Sequence, residues 1–329
     1  MYKVVVTDDR YGNYSEEKSV LQELNVELII LAPESNNTER KANLKIIQDA
    51  DALLVNLFQI TKEIISGLSK CKVISRYGVG YDNVDVEEAS RNGIWVARVP
   101  DYSIEDVSDQ ALALLMGCIR KVAYKDRMIR RGKWNLHGVQ PAHRMKGATL
   151  GLIGYGAIGK RFHEKTIGFG FAKVLVFDPY VKEDIIINNG AVPADLQDIL
   201  SNSDYISIHV PLNESTKKII GKKQLSIMKN NAILINTSRG GVLDEQAVIE
   251  ALKNEKITGA GLDVFETEPI PENSPLLKLD NVILSDHTGW YSEESKVELK
   301  TKAALNILAV LKGGEPIYSV NNIEVTSRS

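Results

Sequence analysis

The chain has 329 residues, 43% of them hydrophobic and 25% charged, which suggests two domains with two apolar cores. Forty basic and forty-three acidic residues leave a formal charge of −3, without the basic excess that drives sequence-independent phosphate binding, so no nucleic-acid partner is expected. Two cysteines, Cys71 and Cys118, cannot build a disulfide framework and suit a reducing compartment. No stretch approaches the roughly 20 apolar residues of a membrane span, and MYKVVVTDDR reads as a strand rather than a signal peptide. The expectation is a cytoplasmic protein with no membrane partner.

Short runs rich in Val and Ile alternate with helix-length segments, the pattern of buried parallel strands with helices on both faces. In the first third the strands are KVVVT from Lys3, VELIIL from Val26, ALLV from Ala52, KVIS from Lys72 and IWVA from Ile94, with a helix over Thr38–Asp49 among the connections. The segment from Ser103 to Arg131 reads as one long helix, with Val107, Ala111, Leu114, Leu115 and Cys118 on one face. After the polar arm WNLHGVQPAHRMKG, which has no clear period, a second series begins. It runs TLGLIG from Thr149, KVLVFD from Lys173, YISIHV from Tyr205, AILIN from Ala232, TGAGLDV from Thr258 and NVILSD from Asn281. Six strands with helical crossovers fit a doubly wound sheet. A last helix runs from Ser292 to about Lys312 and stops at Gly313-Gly314.

Gly154-Tyr155-Gly156-Ala157-Ile158-Gly159 is a GxGxxG directly after a strand and opening a helix. The first glycine permits the tight turn, the second lets backbone amides approach a pyrophosphate, and the third lets helix pack on strand. The helix N-terminus then offers free N–H groups to the anion. The next strand ends at Asp178, 19 positions after Gly159, where an acid can accept from both ribose hydroxyls. Asp178 would repel a 2′-phosphate, and Pro179-Tyr180 supplies no cation to hold one, so NAD is expected rather than NADP.

Three polar residues stand where second-series strands run out: Arg239 after AILINTS, Glu266 or Glu268 after TGAGLDVF, and His287 after NVILSD. In open α/β sheets the carboxyl ends of strands carry the ligand. Arginine can hold a carboxylate bidentately. Histidine can exchange a hydroxyl proton near neutrality, and a neighbouring carboxylate favours and orients its imidazolium. His209, near the end of YISIHV, is the main competitor to His287 for this role, with packing at the cofactor edge as its expected place. No metal ligand set is expected.

From Lys3 to Asn321 the assembly resembles the D-isomer-specific 2-hydroxyacid dehydrogenases. The motifs are Arg76-Tyr77-Gly78-Val79-Gly80 followed by Asp82-Asn83-Val84-Asp85, LGLIGYGAIG with Asp178, HVPLNEST, INTSRGGVLDE, GLDVFETEP and SDHTGW. The resemblance implies a flavodoxin-like substrate domain (1–100 and 292–329) and a Rossmann NAD-binding domain (101–291), two doubly wound parallel-sheet domains with the active site in the cleft. It selects Glu268, which precedes proline, over Glu266, and makes Arg239, Glu268 and His287 catalytic. It places Arg76, Val79, Gly80, Arg239, His287 and Trp290 at the substrate. Among cofactor contacts it places Val79, Val107, Gly154, Gly156, Ala157, Ile158, Gly159, Asp178, Val210, Pro211, Thr216, Thr237, Ser238, Arg239, Asp263, His287 and Gly289. A homodimer through the NAD-binding domain is implied, with its contact on the helix from Ser103 and the arm after it.

The implied activity is NAD-dependent reduction of a small 2-oxo acid to the D-2-hydroxy acid, or the reverse. His287-Thr288-Gly289-Trp290-Tyr291-Ser292-Glu293 resembles the C-terminal binding proteins within the family, so an NAD(H)-sensing scaffold with little catalysis is the alternative. Asp286 stands where the family usually has proline. Phosphoglycerate dehydrogenases usually carry an Arg-Ser pair where this chain reads Val55-Asn56-Leu57-Phe58-Gln59, and no stretch corresponds to the regulatory domain of longer members. A substrate with an uncharged side chain is therefore expected, with 3-phosphohydroxypyruvate as the alternative.

Overall fold

A computed structural model of the chain describes residues 1–32, 37–134 and 141–323. Among the described residues twelve strands form two all-parallel sheets. The first holds β1 (Tyr2–Val6), β2 (Val26–Ile30), β3 (Ala52–Val55), β4 (Val73–Arg76) and β5 (Trp95–Ala97), in the order β2-β1-β3-β4-β5. β3, ALLV, is buried at every residue, which explains why it is an apolar run rather than an alternation; β4 is also buried throughout, though it ends in Ser75 and Arg76. The chain divides into two compact units, one of Met1–Tyr102 with Ser292–Ser329 and the other of Ser103–Tyr291.

The first unit owes its closing layer to the last helix, Glu293–Leu311. Ser292 caps it, accepting from the Ser295 amide at 2.9 Å. The helix lies against β4, where Ser75 Oγ donates to the Ala303 carbonyl at 2.9 Å, and Asn306 donates to the Arg98 carbonyl at 3.1 Å.

The second unit carries β6 (Thr149–Ile153), β7 (Lys173–Phe177), β8 (Val192–Pro193), β9 (Tyr205–Ile208), β10 (Ile233–Asn236), β11 (Gly259–Leu262) and β12 (Val282–Leu284), in the order β12-β11-β10-β9-β6-β7-β8. This sheet has seven strands rather than the six expected. The added strand, Val192–Pro193, is two residues long and lies at the sheet edge, too short to register as an apolar run.

The expected single helix from Ser103 to Arg131 is instead two, Ile104–Arg120 and Val122–Arg130. Lys121 between them takes the left-handed conformation, φ +54°, and its N–H bonds to Cys118. The anticipated face of the first piece is buried at Val107, Ala111, Leu114, Leu115 and Cys118, whereas Val122–Arg130 buries no residue.

In each sheet the strand order reverses once, between β1 and β3 and between β6 and β9. Chain segments leaving the carboxyl ends of these strands diverge to opposite sides and open a ligand crevice. Thr7 and Asn56 follow the first pair, Gly154 and His209 the second.

Candidate active site

In the second unit the glycine turn follows β6. Gly154 has φ +95°, and a Cβ there would lie 2.7 Å from the His209 carbonyl group. A Cβ on Gly159 would come within 2.4 Å of the Gly154 carbonyl oxygen. Gly156, the N-cap of helix Ala157–Thr166, faces open space. The turn is therefore packed tightly behind and open in front, a cradle that fits a pyrophosphate at a helix N-terminus.

Asp178 Oδ2 accepts from the Tyr155 amide at 2.7 Å and Oδ1 from the Tyr180 amide at 2.9 Å. These bonds fix the carboxylate beside the turn, and each oxygen keeps a lone pair for a sugar hydroxyl. His209 packs its ring 5.2 Å from Phe162, and neither ring nitrogen has a hydrogen-bond partner among the described residues. Burial drives its pKa down to about 3, so the ring is neutral and unsuited to be the acid–base. Directly after His209, Val210 is half-buried and Pro211 exposed. Thr216 closes this loop by donating to the Pro211 carbonyl at 2.5 Å.

Glu268 and His287 meet, with Oε2 and Nδ1 2.6 Å apart. The second carboxylate oxygen accepts from the Phe265 amide at 3.0 Å. Burial alone would raise the Glu268 carboxyl, but the hydrogen bond and charge of His287, the Phe265 amide and the charge of Arg239 outweigh it and hold it below its ordinary value. Glu266 lies elsewhere: its carboxylate accepts from the Glu245 amide and pairs with Lys218. The geometry thus separates two acids that residue type alone could not.

His287 sits at φ +57°, and its amide donates to the Asp263 carbonyl at 2.8 Å. Arg239 leaves β10 through a loop tied by Asn236, which accepts from Ser238 and donates to the Arg239 carbonyl. Gly240 must be glycine, because a Cβ there would lie 1.9 Å from the Phe265 carbonyl carbon; the arginine loop and the Glu268 loop touch backbone to backbone.

Asp263 is buried. Its Oδ1 accepts from Ser285 at 2.6 Å and its Oδ2 from the Gly289 amide at 3.0 Å. Burial raises its carboxyl above the ordinary value despite these bonds. Gln110 donates to Ser285 at 2.9 Å and completes the cluster. Gln110, Ser285 and Asn236 were missed from sequence. Ser285 stands two places before His287 and could have been suspected, but nothing local marks Gln110. Thr237 and Val107 are buried, and Trp290 is half-buried with its ring edge-on to Tyr291 at 5.7 Å.

In the first unit Arg76 ends β4, buried, and donates to the Tyr77 carbonyl at 2.5 Å. Val79 and Gly80 are half-buried. The Asp8 carboxylate accepts from the amides of Asn56 and Leu57 at 3.0 and 2.7 Å. Asn83 donates to the carbonyls of Asn56 and Phe58 at 3.1 and 2.8 Å. Among the described residues no group of three or more His, Cys, Asp or Glu side chains is placed to hold a metal ion, and no helix is long and apolar enough to cross a membrane.

A model of the D-isomer-specific 2-hydroxyacid dehydrogenase NAD-binding domain matches residues 112–289. A glyoxylate reductase of Korarchaeum cryptofilum is 41% identical over 293 residues, covering 88% of each chain. A D-3-phosphoglycerate dehydrogenase of Methanocaldococcus jannaschii is 36% identical over 330 residues, 98% of this chain and 60% of that one. The crystal structure of Aquifex aeolicus D-lactate dehydrogenase with NAD and lactic acid superposes with TM-score 0.83 at 27% identity, covering 94% of this chain and 96% of the other. With these matches and an NAD cradle in place, the chain belongs to the D-isomer-specific 2-hydroxyacid dehydrogenase family and is an NAD-dependent oxidoreductase acting on the CH–OH group of hydroxy acids.

Proposed function

We propose that the chain reduces a small 2-oxo acid with an uncharged side chain, with His287 as the acid–base, Glu268 its partner and Arg239 the carboxylate ligand. The observation that carries this reading is the 2.6 Å contact between His287 Nδ1 and Glu268 Oε2. With Nδ1 turned to the carboxylate, Nε2 is the nitrogen left to protonate the developing alkoxide. Glu268 holds the ring in that orientation and stabilises the imidazolium. Arg239 draws the substrate carboxylate and carbonyl together and favours the charge that develops on oxygen. Arg76, Val79, Gly80 and Trp290 are further substrate contacts on the strength of the resemblance.

NADH supplies the hydride when bound. Gly154, Gly156, Ala157, Ile158 and Gly159 would hold its pyrophosphate and Asp178 its ribose. Val79, Val107, Val210, Pro211, Thr216, Thr237, Ser238, Asp263 and Gly289 would line the rest.

The uncharged side chain is favoured by the loop after β3. The Asn56 and Leu57 amides are engaged by the Asp8 carboxylate, which also sets a negative charge there. An anion seeking those N–H groups meets an acid already bonded to them. A catalytically idle NAD(H)-sensing scaffold, or membership of the C-terminal-binding-protein subgroup, has support from the segment His287–Glu293 and from Phe177-Asp178-Pro179-Tyr180 with Glu268-Pro269.

We further propose a cytoplasmic homodimer through the NAD-binding domain. Helix Val122–Arg130 exposes Val122 and Ile129, Trp134 is 90% exposed, and a groove lies along Gly117, Tyr124, Leu252 and Ile283. Residues 135–140 of the expected arm lie outside the described residues. Sedimentation of the wild type against Trp134→Glu tests this, a monomeric wild type refuting it.

The activity test is NADH oxidation against glyoxylate, pyruvate, hydroxypyruvate, 4-methylthio-2-oxobutyrate, phenylpyruvate and 3-phosphohydroxypyruvate. Turnover of uncharged acids well above the phosphorylated one is expected. A preference for the phosphorylated acid overturns the side-chain assignment, and absence of turnover overturns the enzyme reading.

A further inference from the structure

Outside the groups assigned to the reaction, the first unit buries three titratable side chains together. Lys300 is 2% exposed, Glu17 is 0% and Tyr77 is 1%. They come from three separate places: helix Glu293–Leu311, helix Ser15–Leu21 and the turn that leaves β4. The Tyr77 hydroxyl donates to Glu17 Oε1 at 2.8 Å, and Lys300 Nζ stands 3.6 Å from Glu17 Oε2. Lys300 also pairs with Glu16 and lies 5.7 Å over the Tyr14 ring. The buried three hold one cation and one carboxyl, Glu16 adds a second carboxyl at the edge, and burial pushes the Glu17 carboxyl above its ordinary value.

Such a set is a poor stabilising device. Removing ions from water costs about as much as their mutual attraction returns, and apolar replacements of the same volume are often neutral or better. What a buried polar network can supply is a single geometry for the groups attached to it. Here the attached group is Tyr77, which opens the turn after β4 and is held from several sides. Its amide donates to the Val55 carbonyl at 2.7 Å, its carbonyl accepts from Arg76, and its ring meets Tyr11 edge-on at 5.2 Å. Gly78 follows with φ +144°, so close under the Arg76 guanidinium that a Cβ would lie 1.4 Å from Nη1. The Gly78 carbonyl accepts from the Val99 amide at 2.9 Å. The hydroxyl contact and the tight packing under Arg76 thus meet in the one residue that precedes Gly78, Val79 and Gly80.

We propose that Glu17, backed by Lys300, is a positioning residue for substrate binding: by accepting the Tyr77 hydroxyl it sets, through Gly78, the backbone of Val79 and Gly80, whose amides join Arg239 in holding the 2-oxo acid's carboxylate and carbonyl. This rests on the functional reading above. The group touching substrate is the turn; Glu17 and Lys300 act through it.

The test compares Tyr77→Phe, Glu17→Leu and Glu17→Gln with Asn321→Ala. Asn321 accepts from the Val96 amide and donates to the Ile94 carbonyl, so its loss destabilises the same unit without touching the turn. Tyr77→Phe and Glu17→Leu are expected to raise KM for the 2-oxo acid about ten-fold or more, with smaller changes in kcat and no change in NADH affinity. Glu17→Gln, which keeps an acceptor at Oε1, should stay near wild type. Asn321→Ala should lower Tm and leave KM alone. Hydrogen exchange at the Gly78–Gly80 amides is the second readout, expected to quicken in Tyr77→Phe and Glu17→Leu only. An unchanged KM in folded Tyr77→Phe, or an equal rise in Asn321→Ala, overturns the proposal. If the wild type turns over no 2-oxo acid, the functional reading fails, and the exchange measurement alone decides whether Glu17 sets the turn.

Discussion

His287 and Glu268 show how two residues, ordinary alone, become a device when placed 2.6 Å apart. His287→Ala is expected to lower kcat by about 10²–10⁴-fold, the usual worth of a positioned acid–base, with NADH binding retained by fluorescence titration. Near-normal turnover would remove His287 from the role. Glu268 also makes a stability prediction. Its carboxyl is held below the ordinary value in the folded chain, so its contribution is present above the unfolded value and is lost as pH falls through the folded one. Tm of the wild type should therefore fall more steeply than that of Glu268→Gln as pH drops below about 4. Equal slopes would mean that the pair adds nothing to folding. At this scale the sequence was legible wherever a residue lies next to its own motif: Arg239 before Gly240, Glu268 before Pro269, and Asp178 at a strand end. It was illegible for Gln110, whose partner Ser285 is 175 positions away.

Among the elements, strands were the easier to read, because a strand buried on both faces is written as an unbroken apolar run. Val192–Pro193 escaped because two residues at a sheet edge carry no period. The break at Lys121 escaped for a different reason. Apolar spacing reports which face of a helix is buried, not whether its axis is continuous, and lysine gives no warning of a left-handed turn. A left-handed lysine costs about 1 kcal/mol that glycine would not pay, offset by the greater freedom of glycine in the unfolded chain. Lys121→Gly should therefore change stability by less than about 1 kcal/mol, whereas branched Lys121→Val should destabilise by more than about 1 kcal/mol. Chemical denaturation of both variants distinguishes the cases, and a harmless valine would show that the turn relaxes.

For the whole molecule, the NAD cradle predicts a thermodynamic signature. NADH at about 100 times its Kd should stabilise the unit that binds it by about 2.7 kcal/mol, a rise in Tm of roughly 5–10 °C. NADPH at the same concentration should do much less, because its 2′-phosphate meets Asp178. Equal shifts would refute the assignment of Asp178. The sequence by itself determined two parallel-sheet series, the glycine turn, the acid at the end of β7 and the loops where chemistry is carried, because each is encoded by neighbours a few positions apart. Only the tertiary structure decided which atoms meet: Glu268 Oε2 on His287 Nδ1, a neutral His209 walled in by Phe162, and Lys300 beside Glu17, 283 positions away in the chain. Periodicity states that a face will be buried. The partner it is buried against is set by the packing of the whole chain, and no local pattern contains it.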